Sequence, residues 1–199
     1  MSPKRKSPLP IEQDGRAEEL EFLKRRIAEL EMEKEPVGDI RMDELIPVMS
    51  LINFTLNLST KEKGQGDIFK FDEFGSIKRI LYSKLLSIME VHANFLNWGY
   101  FIILDERVIK AHGLQEKYQT ILTKEKIDLI ISGSKGALDL YKSCSQEQQR
   151  IIVSMIVDKL RDNPDSIDLN LVDQISRLSG VKILEKAEES RILFNSKEA

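Results

Sequence analysis

Tyr100-Phe101-Ile102-Ile103-Leu104-Asp105-Glu106-Arg107-Val108-Ile109-Lys110-Ala111 is the stretch on which the fold class turns. The run Phe101-Ile102-Ile103 suits a strand. Val108 and Ile109 continue a helical phase, and Gly113 sits where a helix C-terminal cap belongs. The balance predicts a buried helix. It also argues against a membrane span: the apolar run from Phe95 to Leu104 is broken by Asn97 and Gly99 and is about half of the ~20 residues a bilayer requires.

Working outward, Ile40 to Leu58 is rich in apolar residues (Met42, Leu45, Ile46, Val48, Met49, Leu51, Ile52, Phe54, Leu56), with Pro47 as a kink or a first turn. Lys61-Glu62-Lys63-Gly64-Gln65-Gly66 reads as a loop. Ser76 is placed to cap a helix through Ile77, Ile80, Leu81, Leu85, Ile88 and Met89. Downstream, Thr123 caps a helix through Ile127, Ile130 and Ile131 that ends before Gly133, and Ser145 with Gln148 forms a capping box for a helix from Ile151 to Leu160 that closes before Pro164. Asp168 or Asn170 opens Leu171, Val172, Ile175 and Leu178, stopped by Gly180. Val181 to Phe194 is a last amphipathic segment. With no sustained two-residue alternation and no internal repeat, the prediction is an all-α chain. Residues 39–199 form a bundle of about six or seven helices.

Ahead of the bundle the composition changes twice. Residues 1–15 hold three prolines and little to bury, and are expected to be a disordered basic tail. Residues 16–35 are strong helix formers, with Leu20, Leu23, Ile27 and Leu30 spaced as a coiled-coil seam and Glu21 four residues before Arg25. Residues 36–38, bounded by Pro36 and Gly38, form a hinge. A helix of this length is marginal alone in water, and the hinge favours self-association over folding back onto the bundle.

The chain has 199 residues, 41% of them apolar and 32% charged, which fits one globular domain and a short appendage. A net charge of −3 supplies no global field toward nucleic acid or anionic lipid, so such binding requires a local patch. Lys61, Lys63, Lys70, Lys78, Arg79 and Lys84 are the candidates. Lys4-Arg5-Lys6, flanked by Ser2-Pro3 and Ser7-Pro8, has the character of an import signal or a phosphate-contacting arm. A lone cysteine, Cys144, excludes an intramolecular disulfide, and His92 and His112 have no short ligand spacing, so neither metal nor cofactor is expected. Nothing local activates Cys144 as a nucleophile, and Asp67, Asp72 and Glu73 lack metal-loop spacing.

Two short motifs bear resemblances. Gly133-Ser134-Lys135-Gly136 is similar to the G-x-x-G loop of RNA-binding KH domains, but the strands that fold needs afterwards are replaced by helix, and a tight helix–helix turn is expected. Asn97-Trp98-Gly99 resembles a tripeptide of helical apoptosis regulators. Tyr100 stands where that family has arginine, and no second motif follows, so Trp98 is read as a core anchor.

The resulting expectation is a non-enzymatic, self-associating interaction protein: an adaptor or cofactor in a polymerase or ribonucleoprotein assembly, viral ones included. It would be cytoplasmic, or nuclear through its basic tail, with protein partners and no membrane. The alternative is a nucleic-acid-binding protein using the local basic patch.

Overall fold

A computed structural model describes Lys24 and residues 39–198, and residues 39–199 group as one compact unit. Lys24 apart, the predicted tail, seam and hinge lie outside the described residues.

The unit is mixed α and β, which overturns the all-α expectation. Its first half is built on strands. Leu45–Ser50 (β1) is the middle of a three-stranded antiparallel sheet, flanked by Ile77–Leu81 (β4) and Phe101–Ile103 (β5). The register sets Ile46 opposite Ile80, Met49 opposite Ile77, and Val48 opposite Ile103. Leu56–Lys61 (β2) and Gln65–Phe71 (β3) form an antiparallel hairpin inserted between β1 and β4. The Lys61-to-Gly66 loop is the turn of this hairpin, a single 3-10 turn over Glu62–Gly64 in which Lys63 and Gly64 both take positive φ, 57° and 71°.

The segment from Ile40 to Leu58 hides its strands because β1 is apolar on both faces. Ile46 and Val48 point inward, and Leu45, Pro47 and Met49 point the other way, so no alternation shows. Pro47 is neither a kink nor a helix start. Its carbonyl accepts the Leu104 N–H at 3.0 Å. In an antiparallel ladder the N and C=O of one residue face the same neighbour, so the missing proline donor falls where β5 has already ended. Ser76 caps no helix: Ile77–Leu81 is strand, and helix begins only at Tyr82. The stretch Tyr100–Ala111 divides in two. Phe101, Ile102 and Ile103 are a strand buried on both faces, and helix resumes at Glu106 with Asp105 as its N-cap, accepting the Arg107 N–H at 2.9 Å.

Helices complete the unit: Tyr82–Val91 (α1), Ala93–Trp98 (α2), Glu106–Ala111 (α3), Gln115–Thr120 (α4), Lys124–Ile131 (α5), Ala137–Ser143 (α6), Gln146–Asp162 (α7), Leu169–Ser179 (α8) and Ile183–Glu198 (α9). Four of these are only six or seven residues long, which is why a count of helical stripes undershoots them. α1 packs on β2 and the sheet, while α9 lies along α7. The capping box is half formed. Ser145 Oγ accepts the Gln148 N–H at 3.2 Å, but the Gln148 side chain, fully buried, turns away to Leu122. There its Oε1 accepts the Leu122 N–H at 2.9 Å and its Nε2 donates to the Leu122 carbonyl at 3.1 Å. This amide pair pins the α4–α5 connection to α7. One apolar core, from Ile46 and Phe71 to Ile156 and Ile183, runs through both halves.

Candidate interaction surface

Strand alternation puts Leu45, Pro47 and Met49 of β1 on the outer face of the sheet, beside Ile77, Arg79 and Leu81 of β4 and Ile102 and Leu104 near β5. Seven of the eight are apolar. Met49 and Ile102 are buried, while Leu45, Ile77 and Leu104 are 54%, 51% and 38% exposed. Met42, just ahead of β1, is also exposed. Arg79 is the only charge on the face. The start of β1 is held by an ion-pair clamp: Arg107 bonds Glu44 and, at 2.8 Å, Asp105. The Arg107 guanidinium holds the Asp105 carboxyl below its usual range.

A second exposed feature is aromatic. Phe95 stacks on Tyr100 with centroids 5.2 Å apart and on His92 at 5.1 Å, Trp98 lies 5.4 Å from Tyr100, and Phe54 meets Tyr100 edge-on at 6.4 Å. Phe54 and Trp98 are exposed. Trp98 is therefore an edge of a surface cluster and not the core anchor its rarity suggests. Gly99, at φ 74°, turns the chain from α2 into β5 and so brings Trp98 and Tyr100 together. His92 is fixed by accepting the Ser59 backbone N–H on Nε2 at 2.9 Å, and burial lowers its pKa, so the ring is held neutral.

The six basic candidates do not share one face. Lys78 and Arg79 are consecutive strand residues and leave β4 on opposite sides, because β4 is not a helix. Lys70 pairs with Asp72 at 2.7 Å, which lowers the Asp72 pKa, and Lys84 pairs with Asp67 at 3.1 Å. Lys61 and Lys63 are exposed at the hairpin turn, with Glu62 between them. Lys4, Arg5, Lys6, Leu20, Leu23, Ile27 and Leu30 lie outside the described residues.

The remaining reactive side chains have structural partners. Cys144 is buried, its thiol pushed up to about 11 by that burial and bonded to the Tyr141 carbonyl. His112 stands at the C-terminal end of α3 with Nε2 2.9 Å from the Tyr82 hydroxyl. Among the described residues no three His, Cys, Asp or Glu side chains are grouped to hold a metal ion. Gly133-Ser134-Lys135-Gly136 joins α5 to α6, both glycines at positive φ. No described helix is long and apolar enough to cross a membrane.

The spacing Phe95-x-x-Trp98-x-Tyr100 carried a signal for the aromatic cluster, since it gathers three rings within six residues. The sheet face had none, because Leu45, Ile77 and Leu104 come from three separate segments. No protein-family model matches this chain, and no curated protein or solved structure matches it either.

Proposed function

We propose that this protein is a non-enzymatic interaction protein, an adaptor or cofactor within a macromolecular assembly, that receives a protein partner on the outer face of its three-stranded sheet. The observation that supports this is the outer face of the sheet, where Leu45 and Ile77, at opposite ends of the β1–β4 pairing, and Leu104, just past β5, are large aliphatic side chains left in water. Large aliphatic side chains exposed on one sheet face favour association. Arg79 at its centre suits a partner that brings a carboxylate among apolar residues. Self-association through Leu20, Leu23, Ile27 and Leu30 belongs to the same proposal and would multiply weak contacts. The compartment that fits is the cytoplasm, or the nucleus if Lys4-Arg5-Lys6 acts as an import signal.

The test is affinity capture from the native host with nuclease present, comparing wild type with the double variant Ile77→Asp, Leu104→Asp. Both positions are exposed, so the variant should melt as the wild type does. A partner retained by wild type and lost by the variant supports the proposal. A partner retained equally by both moves the interface elsewhere.

The aromatic cluster favours a second reading, binding of single-stranded nucleic acid, since exposed rings stack on bases without regard to sequence. Lys61 and Lys63 would contribute phosphate contacts. Filter binding of a single-stranded RNA at low salt should then show retention that drops with salt and with Trp98→Ala. No retention at tens of micromolar protein ends this reading.

A further inference from the structure

β4 is an outermost strand of its sheet, bonded to β1 on one side only. The ladder decides which of its backbone groups are left over. At one end of the pairing the Ser50 N–H donates to the Ser76 carbonyl at 3.0 Å, and at the other the Tyr82 N–H donates to the Glu44 carbonyl at 2.8 Å. Such pairs recur every second residue, so Lys78 and Ile80 also face β1. Ile77 and Arg79 therefore aim both N–H and C=O away from the sheet, where they meet no partner among the described residues. Pro47 agrees with this phase: it stands opposite Arg79, and its carbonyl bonds Leu104 on the β5 side. Ile77, Lys78 and Arg79 are all exposed, so the edge lies in water.

A free edge is a template for one more strand. Side chains decide which strand. Ile77, Arg79 and Leu81 stand on the outer face of the sheet, and Lys78 and Ile80 on the other. Neither cation is in an ion pair among the described residues; Asp72, which Lys78 helps to hold ionised, is bonded by Lys70 at 2.7 Å. A second copy of β4 fits badly here. Antiparallel pairing centred on Lys78 or on Arg79 sets like charge opposite like charge, and pairing centred on Ile80 leaves the two Arg79 side chains as diagonal neighbours.

We propose that the free edge of β4 receives an extended acidic segment of the partner protein, added as an antiparallel strand like both existing pairings of this sheet. This rests on the reading above, in which a partner's carboxylate meets Arg79 on the outer face, and it says how that carboxylate is presented. The added strand carries carboxylates opposite Arg79 and Lys78, on consecutive residues directed to opposite faces. Aliphatic residues lie opposite Ile77 and Leu81, and a small one opposite buried Ile80. Along the added strand the order is aliphatic, small, acidic, acidic, aliphatic.

The probe is the end-capped peptide Thr-Val-Thr-Glu-Glu-Val-Thr, titrated into the full-length ¹⁵N-labelled protein. It should bind saturably with a dissociation constant on the order of 0.1 mM. The Ile77 and Arg79 amides should become protected from exchange, while those of Lys78 and Ile80, already bonded to β1, stay as they were. N-methylating the first glutamate and the second valine removes donors that face β4 and should weaken binding about tenfold. N-methylating the second threonine and the second glutamate, whose N–H groups face water, should not. Arg79→Glu, at an exposed position, should weaken binding about tenfold, and lysine in place of the first glutamate should restore it. No saturable binding up to about 2 mM peptide overturns the proposal. So does equal binding by the two N-methylated peptides: side chains alone then hold the peptide, and the docking face stands without strand addition. Protection of the Ile77 and Arg79 amides, beside a captured partner indifferent to Ile77→Asp, Leu104→Asp, supports the edge and removes the face reading instead.

Discussion

Gln148 carries a structural task disproportionate to one residue, since both polar atoms of its amide satisfy the backbone of Leu122 inside the core. Gln148→Ala leaves a buried N–H and a buried C=O unpaired and should cost about 3 kcal/mol, read from denaturant unfolding. Gln148→Glu cannot rescue it, because a carboxylate has no donor for the Leu122 carbonyl. Gly99 and Gly113 make an internal comparison. Both hold positive φ, 74° and 62°, but a Cβ on Gly99 would meet Gln148 Nε2 and Ile121 Cγ2 at 3.1 Å, while one on Gly113 meets nothing within 4 Å. Gly113→Ala should cost about 1 kcal/mol from backbone conformation alone, and Gly99→Ala measurably more. His92 sets an acid limit. Its folded pKa lies below the ordinary 6.5, so the unfolded chain takes up the proton first. Stability from this residue is complete above pH 6.5 and declines as pH falls through the lowered folded value. Thermal melts from pH 7.5 to 5 should show that decline, and His92→Gln should flatten it.

At the scale of elements, helices downstream of Thr123 were legible and strands were not. Asp168 accepting the Asn170 N–H, Gly180 at φ 69° after α8 and Pro164 after α7 are local devices, set by residues adjacent in sequence. Strand identity was fixed instead by partners far along the chain. The spacing of Ile77, Ile80 and Leu81 fits a helical stripe, and only pairing with β1 makes it a strand. Phe101–Ile103 is too short for any period to register and is apolar on both faces because it is buried on both. The same cause hid the candidate site. Reading Lys78 and Arg79 as one turn of helix places them near each other, whereas a strand sends them to opposite faces of the sheet. What the capping box revealed correctly was the start of α7, although its glutamine serves a different backbone.

Taken as a whole, residues 39–199 hold strands and helices around one core, and a chain of those residues alone should fold. Its unfolding, followed by circular dichroism, should be a single cooperative transition, and a molten or insoluble product would refute the independence of the unit. The insertion of the β2–β3 hairpin between β1 and β4 bears on the order of assembly. β1 comes first in sequence, yet both its neighbours, β4 and β5, are made later, so its pairings must close large loops before any bond rewards them. The hairpin closes locally around Glu62–Gly64 and shortens the first of those loops. Weakening that turn with Gly64→Ala should therefore appear in stopped-flow mixing as slower refolding, with the unfolding rate little changed. It also means that during refolding, and on the ribosome, β1 is an apolar strand with both edges open until the chain beyond it arrives. That interval, more than the finished structure, is when one copy is most exposed to pairing with another.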